Sequence, residues 1–158
     1  MSFIHTPAGA SSTLRTTTPM FALGTVGTGT NGTRWIYVKA TAAISAYYVA
    51  AIDESFNATP ATAALATQGH IPGFCQTAFA SGDYGFIPTA GTSDLKVKTA
   101  AATVKDSALY IGSSGASDGV VASTTTGGNL LNGVVTVSTA ASGGVLPYII
   151  ATNPWFTP

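Results

Sequence analysis

The sequence predicts an all-β fold, a single-domain sandwich, jelly roll or small barrel with an extended N-terminal arm and a C-terminal tail. Three observations carry this. Short runs of aromatic and β-branched residues recur at intervals of about ten residues, Gly, Ser and Asn turns separate them, and no long amphipathic helix interrupts them. A chain of 158 residues is long enough for one sizeable core. The expected organisation is an arm over residues 1–20, a β-rich core over 21–151 and a tail over 152–158.

In chain order, residues 1–20 are Thr, Ser, Pro and Ala with Phe3, Ile4, Leu14 and Met20 scattered among them, without a period. Such a segment is either disordered or an arm that orders against a neighbour. Phe21–Val26 reads as a short strand, and Asn31-Gly32 as a hairpin turn just before Trp35. Trp35–Lys39 is a strand by composition. Ile44, Ala46, Tyr48, Ala50 and Ile52 then share one parity and Ser45, Tyr47, Val49 and Asp53 the other, which predicts a strand with one face in and one face out. The Ala-rich run Thr41–Ala51 also admits a helical reading.

Residues 55–69 read as a surface loop with one helical turn around Ala61–Ala66. Phe74–Phe79 and Tyr84–Thr89 flank Ala80-Ser81-Gly82-Asp83 as a second hairpin. Leu95, Val97 and Thr99 alternate with Lys96 and Lys98, predicting a strand near a sheet edge, where Lys discourages further pairing. Residues 108–112 and 119–123 make a third hairpin, with Asp118-Gly119 as its turn signal. Val134–Ser138 and Val145–Ala151 make a fourth. No internal repeat or heptad is visible. The tail Thr152-Asn153-Pro154-Trp155-Phe156-Thr157-Pro158 sets two large aromatics between two prolines.

Composition narrows the function. Charged residues are 8% of the chain against about 25% in ordinary domains, and the net charge is zero. A surface of Thr, Ser, Asn and Gly suits a protein packed against partners. Six dispersed basic residues give no footprint for a phosphate backbone, so no nucleic-acid partner is expected. No apolar run spans a membrane, and no basic region followed by an apolar one marks a secretory signal. A single cysteine, Cys75, excludes an intrachain disulfide and reads as a small buried hydrophobe.

Catalytic and metal signatures are missing. His5 and His70, the two histidines, have no second ligand at metal-binding spacing. There is no Gly-x-Ser-x-Gly elbow. Asp53-Glu54 marks the exit of an apolar strand to solvent, with no second acidic cluster for a glycosidase or calcium site. Gly24, Gly27 and Gly29 lead into a strand, so no helix N-terminus holds a phosphate there. The expectation is no enzyme, no cofactor and no metal, with no such role for His5, His70, Cys75, Asp53 or Glu54.

The order Phe-Ala-Leu-Gly-Thr-Val (21–26), Gly-Thr-Asn-Gly-Thr-Arg-Trp-Ile-Tyr-Val-Lys-Ala (29–40) and Ala-Ile-Ser-Ala-Tyr-Tyr-Val-Ala-Ala-Ile-Asp-Glu (43–54) resembles the capsid cement, or head decoration, proteins of tailed bacteriophages. Gly-Phe-Cys-Gln-Thr-Ala-Phe-Ala-Ser-Gly-Asp-Tyr-Gly-Phe-Ile-Pro (73–88) is similar to a later hairpin of those proteins. The resemblance spans residues 21–151 and lacks both ends. It implies a β-rich virion protein, made in the bacterial cytoplasm, that sits on the outer surface of an icosahedral head. There it binds the major capsid protein and joins its neighbours; the low charge and the apolar tail predict that the protein also binds itself, as a homo-oligomer with a trimer favoured over a dimer. Phe3, Ile4, Leu14, Trp155 and Phe156, which have no periodic partner, are the expected contact residues, the core being self-sufficient without the ends. The alternative reading is a phage fibre or adhesin module binding a host receptor or glycan through Trp35, Tyr47 and Tyr48.

Overall fold

The computed structural model describes residues 11, 13–112, 117–123 and 127–157, so Phe3, Ile4 and His5 lie outside the described residues. The strands are β1 (Arg15–Thr16), β2 (Val26–Thr28), β3 (Arg34–Ala40), β4 (Val49–Ile52), β5 (Asn57–Pro60), β6 (Ile71–Phe74), β7 (Tyr84–Lys98), β8 (Tyr110–Ile111), β9 (Val121–Ala122), β10 (Asn129–Thr136) and β11 (Val145–Thr157). A single helical turn, α1 (Ala63–Ala66), sits where the sequence placed one, and the Thr62 hydroxyl caps it by accepting from the Leu65 N–H. The fold is all-β. Its strands run in the order β6-β4-β5-β3-β7-β11-β10-β8-β9, with β1 added to β7 and β2 to β3. The sheet does not close on itself, so the barrel among the expected architectures is not formed.

The long strand β7 organises the molecule. Its first half, Tyr84–Pro88, pairs antiparallel with Trp35–Lys39 of β3, and its second half, Leu95–Lys98, pairs with β11. Two cores form on the two sides of β4, whose four residues are all buried. Ala50 and Ile52 pack with Ile36, Val38, Ile44, Phe79 and Ile87. Val49 and Ala51 pack with Leu95, Val97, Leu131, Leu146, Ile149 and Phe156. The alternation expected along 44–53 is therefore present, but both of its faces are interior at β4, as in strands covered on both sides. The Ala-rich composition follows from this. Small side chains let two cores approach a single strand, and the helical alternative for 41–51 is not adopted.

Several local expectations hold. Asn31 (φ 56°) and Gly32 (φ 66°) make the tight turn from β2 to β3. β8 pairs with β9, and β10 with β11, as the third and fourth hairpins require. Others are corrected. Residues 21–25 precede the strand, which begins at Val26. β3 and β4 are consecutive but unpaired, because β7 and β5 take the edges of β3. The run Phe74–Phe79 is not one strand: β6 stops at Phe74, and Phe79 forms an isolated bridge with Ile44. The Lys96 and Lys98 segment does lie at an edge as expected: β11 pairs with one side of it, and on the other side the Gln76 amide and the Tyr47 carbonyl, not a strand, bond its backbone.

The chain contains an internal repeat that the sequence reading missed. The bridge Ile44–Phe79 recurs as Thr103–Ala140. Three positions after each bridge residue stands a left-handed one: Tyr47 (φ 67°), Gly82 (φ 92°), Asp106 (φ 62°) and Gly143 (φ 67°). The N–H of Tyr47 bonds the Cys75 carbonyl as that of Asp106 bonds Thr136, and Ala40 bonds Asp83 as Thr99 bonds Gly144. The parallel pairing Ala40–Ala58 returns as Thr99–Val121. β3 through the first half of β7 is thus one unit, and the second half of β7 through β11 is the same unit again. Val38-Lys39 matches Val97-Lys98, and Ala80-Ser81-Gly82 matches Ala141-Ser142-Gly143.

Candidate functional site

Chemistry-bearing residues are dispersed and structurally committed. Cys75 is fully buried, and burial pushes its thiol up to about 12, with Arg15 working against that. Asp53 serves its own turn: Oδ1 accepts the N–H groups of Ser55 and Asn57 at 2.9 and 2.8 Å, and Oδ2 accepts the Asn57 amide at 3.1 Å. Burial alone would raise the Asp53 carboxyl, but these bonds, with His70 nearby, hold it below its ordinary value. Among the described residues no group of three or more His, Cys, Asp or Glu is placed to hold a metal.

What the surface offers is apolar side chains. One group lies on the segment that leads into β3: Leu14, Met20, Leu23 and Val26 are all exposed. This segment is fastened to the core. Phe21 packs edge-on against Tyr37 (5.3 Å between centroids) and tilted against Phe86 (5.4 Å), while the Met20 N–H bonds the Tyr37 hydroxyl at 2.9 Å. Arg15 lies 3.7 Å above the Phe79 ring and donates to the Thr77 hydroxyl and the Leu14 carbonyl. Burial lowers the Arg15 guanidinium to about 10, leaving it charged at neutral pH. Residues 14–20, expected to be either disordered or an arm that orders against a neighbour, are instead partly docked on their own chain, and Gly85 permits it: a Cβ there would lie 2.9 Å from the Leu14 carbonyl. A second exposed group is Val104 and Val135, linked through Thr136, whose hydroxyl donates to the Val104 carbonyl.

The third group is at the C-terminal strand. Residues 152–157, expected to form a separate tail, continue β11 and pair with β10, with Asn132, Leu131 and Leu130 opposite Trp155, Phe156 and Thr157. The two aromatics part company here. Phe156 is 8% exposed and belongs to the core, so within one chain it is not a free contact residue, whereas Trp155 is 51% exposed. A bulge between Asn132 and Val134 opposes the left-handed Asn153 (φ 51°) and fixes this arrangement. Gly133 is required there, since a Cβ would come within 2.8 Å of the Thr152 carbonyl.

Trp155 borders a cavity of about 400 Å³ with Arg34, His70, Ile71, Thr89 and Asn153. A second cavity of about 350 Å³ shares Gly69, His70 and Ile71 with it and adds Asp53, Glu54 and Gln68. His70 is the common wall. Its Nδ1 is 3.0 Å from the Leu65 carbonyl, which only accepts, so Nδ1 donates there and Nε2 is the ring nitrogen without that bond. Trp35, Tyr47 and Tyr48, the platform of the adhesin reading, are each half-buried. Of the expected contact residues the structure therefore exposes Leu14 and Trp155. Sequence reasoning missed Met20, Leu23, Val26, Ile71, Val104 and Val135, because exposure of a single apolar residue leaves no periodic trace. Comparison with protein-family models and with curated proteins finds no match.

Proposed function

We propose that the protein is a structural component of a phage virion that binds the outside of an icosahedral head and cements neighbouring major capsid proteins. The observation that carries this reading is the distribution of exposed apolar side chains: three separate groups, around Met20 and Val26, at Val104 and Val135, and at Trp155 and Ile71, on a surface with few charges. A protein that joins two or more neighbours needs more than one adhesive face, and linked weak contacts give avidity without a deep site. The resemblance of residues 21–54 and 73–88 to head decoration proteins supports the same reading. In it the protein is a homo-oligomer, with a trimer favoured, and catalysis plays no part. The test is co-sedimentation of the purified full chain with isolated heads stripped of decoration protein, together with the temperature at which the shells rupture. Saturable binding with a raised rupture temperature is expected. Absence of binding at micromolar protein, or binding without any gain in shell stability, would sink the proposal.

A further inference from the structure

We infer that the Trp155 groove is a carbohydrate-binding site selective for a sugar that bears a carboxylate. The argument begins with the internal repeat. The two units match in their bridges, turns and parallel pairings, yet they diverge at β10 and β11, where the second unit carries the bulge at Gly133, the left-handed Asn153 and direct pairing of β10 with the end of β11. Backbone in sparsely populated conformations persists where surrounding structure enforces it, and bulges redirect side chains. Beyond the bulge the strand continues, and its alternation turns Phe156 into the core while its neighbour Trp155 stands half in solvent at the mouth of a cavity.

The lining defines the ligand. An exposed indole provides a flat apolar face for the C–H face of a sugar ring, and Ile71 and Pro72 extend it. Around it stand residues with directional polar side chains: Asn153, His70, whose Nδ1 is committed to the Leu65 carbonyl, and Arg34. A mostly apolar concavity with a few convergent polar groups is the usual form of a small-ligand site, and about 400 Å³ lies within the usual range. Arg34 has no ion pair among the described residues and is exposed at the start of β3. Its planar fork matches a carboxylate, which sets the acidic sugar above a neutral one. The carboxylates of Asp53 and Glu54 line the adjoining cavity and not this groove.

The test is calorimetric titration of the full chain with tri-galacturonate and with sialyllactose, each beside its methyl ester, which removes the charge and keeps the rings. At least one free acid is expected to bind saturably with a Kd below about 1 mM. Its ester should bind roughly tenfold more weakly, the size of one charge-assisted pair. Trp155→Ala should abolish binding. Arg34→Gln should remove the difference in affinity between acid and ester. Both side chains are exposed, and an unchanged melting temperature verifies the fold of each variant. Failure of both acids to bind overturns the site, as does undiminished binding by Trp155→Ala. Equal affinity for acid and ester overturns the carboxylate specificity. None of these outcomes depends on whether the protein binds capsids.

Discussion

Gln76 shows how much a single side chain can do where a strand is missing. In the first unit the edge of β3 at Tyr37 is covered by backbone: the Tyr37 N–H bonds the Thr25 carbonyl, and the Gly24 N–H bonds the Tyr37 carbonyl. In the second unit the matching residue is Lys96, and the primary amide of Gln76 takes both roles. Its Oε1 accepts the Lys96 N–H at 3.0 Å, and its Nε2 donates to the Lys96 carbonyl at 3.2 Å and to the Phe74 carbonyl at 3.0 Å. Gln76→Ala leaves that backbone unpaired in a half-buried setting, so urea unfolding should show a loss of about 1–3 kcal/mol. Gln76→Glu should be no better, because a carboxylate cannot donate to the two carbonyls. Asp53 governs the acid side of stability. Its carboxyl is held below the ordinary 3.8 in the fold, so its contribution is complete above that value and fades as pH falls through the folded pKa. Asp53→Asn should lower the melting temperature at pH 7 and flatten its fall between about pH 4 and 2, as read by melting curves across that range.

At the scale of elements, the sequence announced turns and strand composition better than partners. Asn31-Gly32 and Asp118-Gly119 declared their turns because only a few residue types tolerate positive φ. The pairing of β3 with β7, across the whole of β4, β5 and β6, has no local signature at all. The repeat was hidden for a related reason. It is conserved between the two units in backbone bonding, and the left-handed site is filled by Tyr47 and Asp106 in two of its four occurrences and by glycine in the others. The end of β11 was misread because Pro154 and Asn153 imitate a terminal turn, while the bulge opposite them lets the strand continue. One consequence is measurable. Deleting residues 153–158, which a free tail would survive, removes a paired strand end and buried Phe156. Loss of that side chain alone costs about 3–5 kcal/mol, or roughly 6–20 °C in a domain of this size. Phe156→Ala should therefore melt far below Trp155→Ala, whose side chain is half in solvent.

For the whole molecule, the proposed cementing role would require an all-β chain with few charges to hold neighbours together through more than one face. Two of the exposed apolar groups lie on different parts of the repeat: Met20, Leu23 and Val26 beside β3, and Val104 and Val135 in the second unit. If each engages a different capsid subunit, the second contact is effectively intramolecular, and losing either should weaken attachment about 10²–10⁴-fold rather than by half. The variants are Met20→Asp with Leu23→Asp for one face and Val104→Asp with Val135→Asp for the other. These side chains are exposed, so the fold should tolerate the charge within about 1 kcal/mol for each pair. Binding to stripped heads, followed by quantitative co-sedimentation, should collapse for either pair alone. The rupture temperature of the shells should return to that of undecorated heads even at protein concentrations that restore occupancy, because a singly attached protein covers a subunit without joining it to the next. If one pair left both quantities unchanged while the other abolished binding, the protein would be a one-sided decoration, and cementing would have to come from contacts between its own copies.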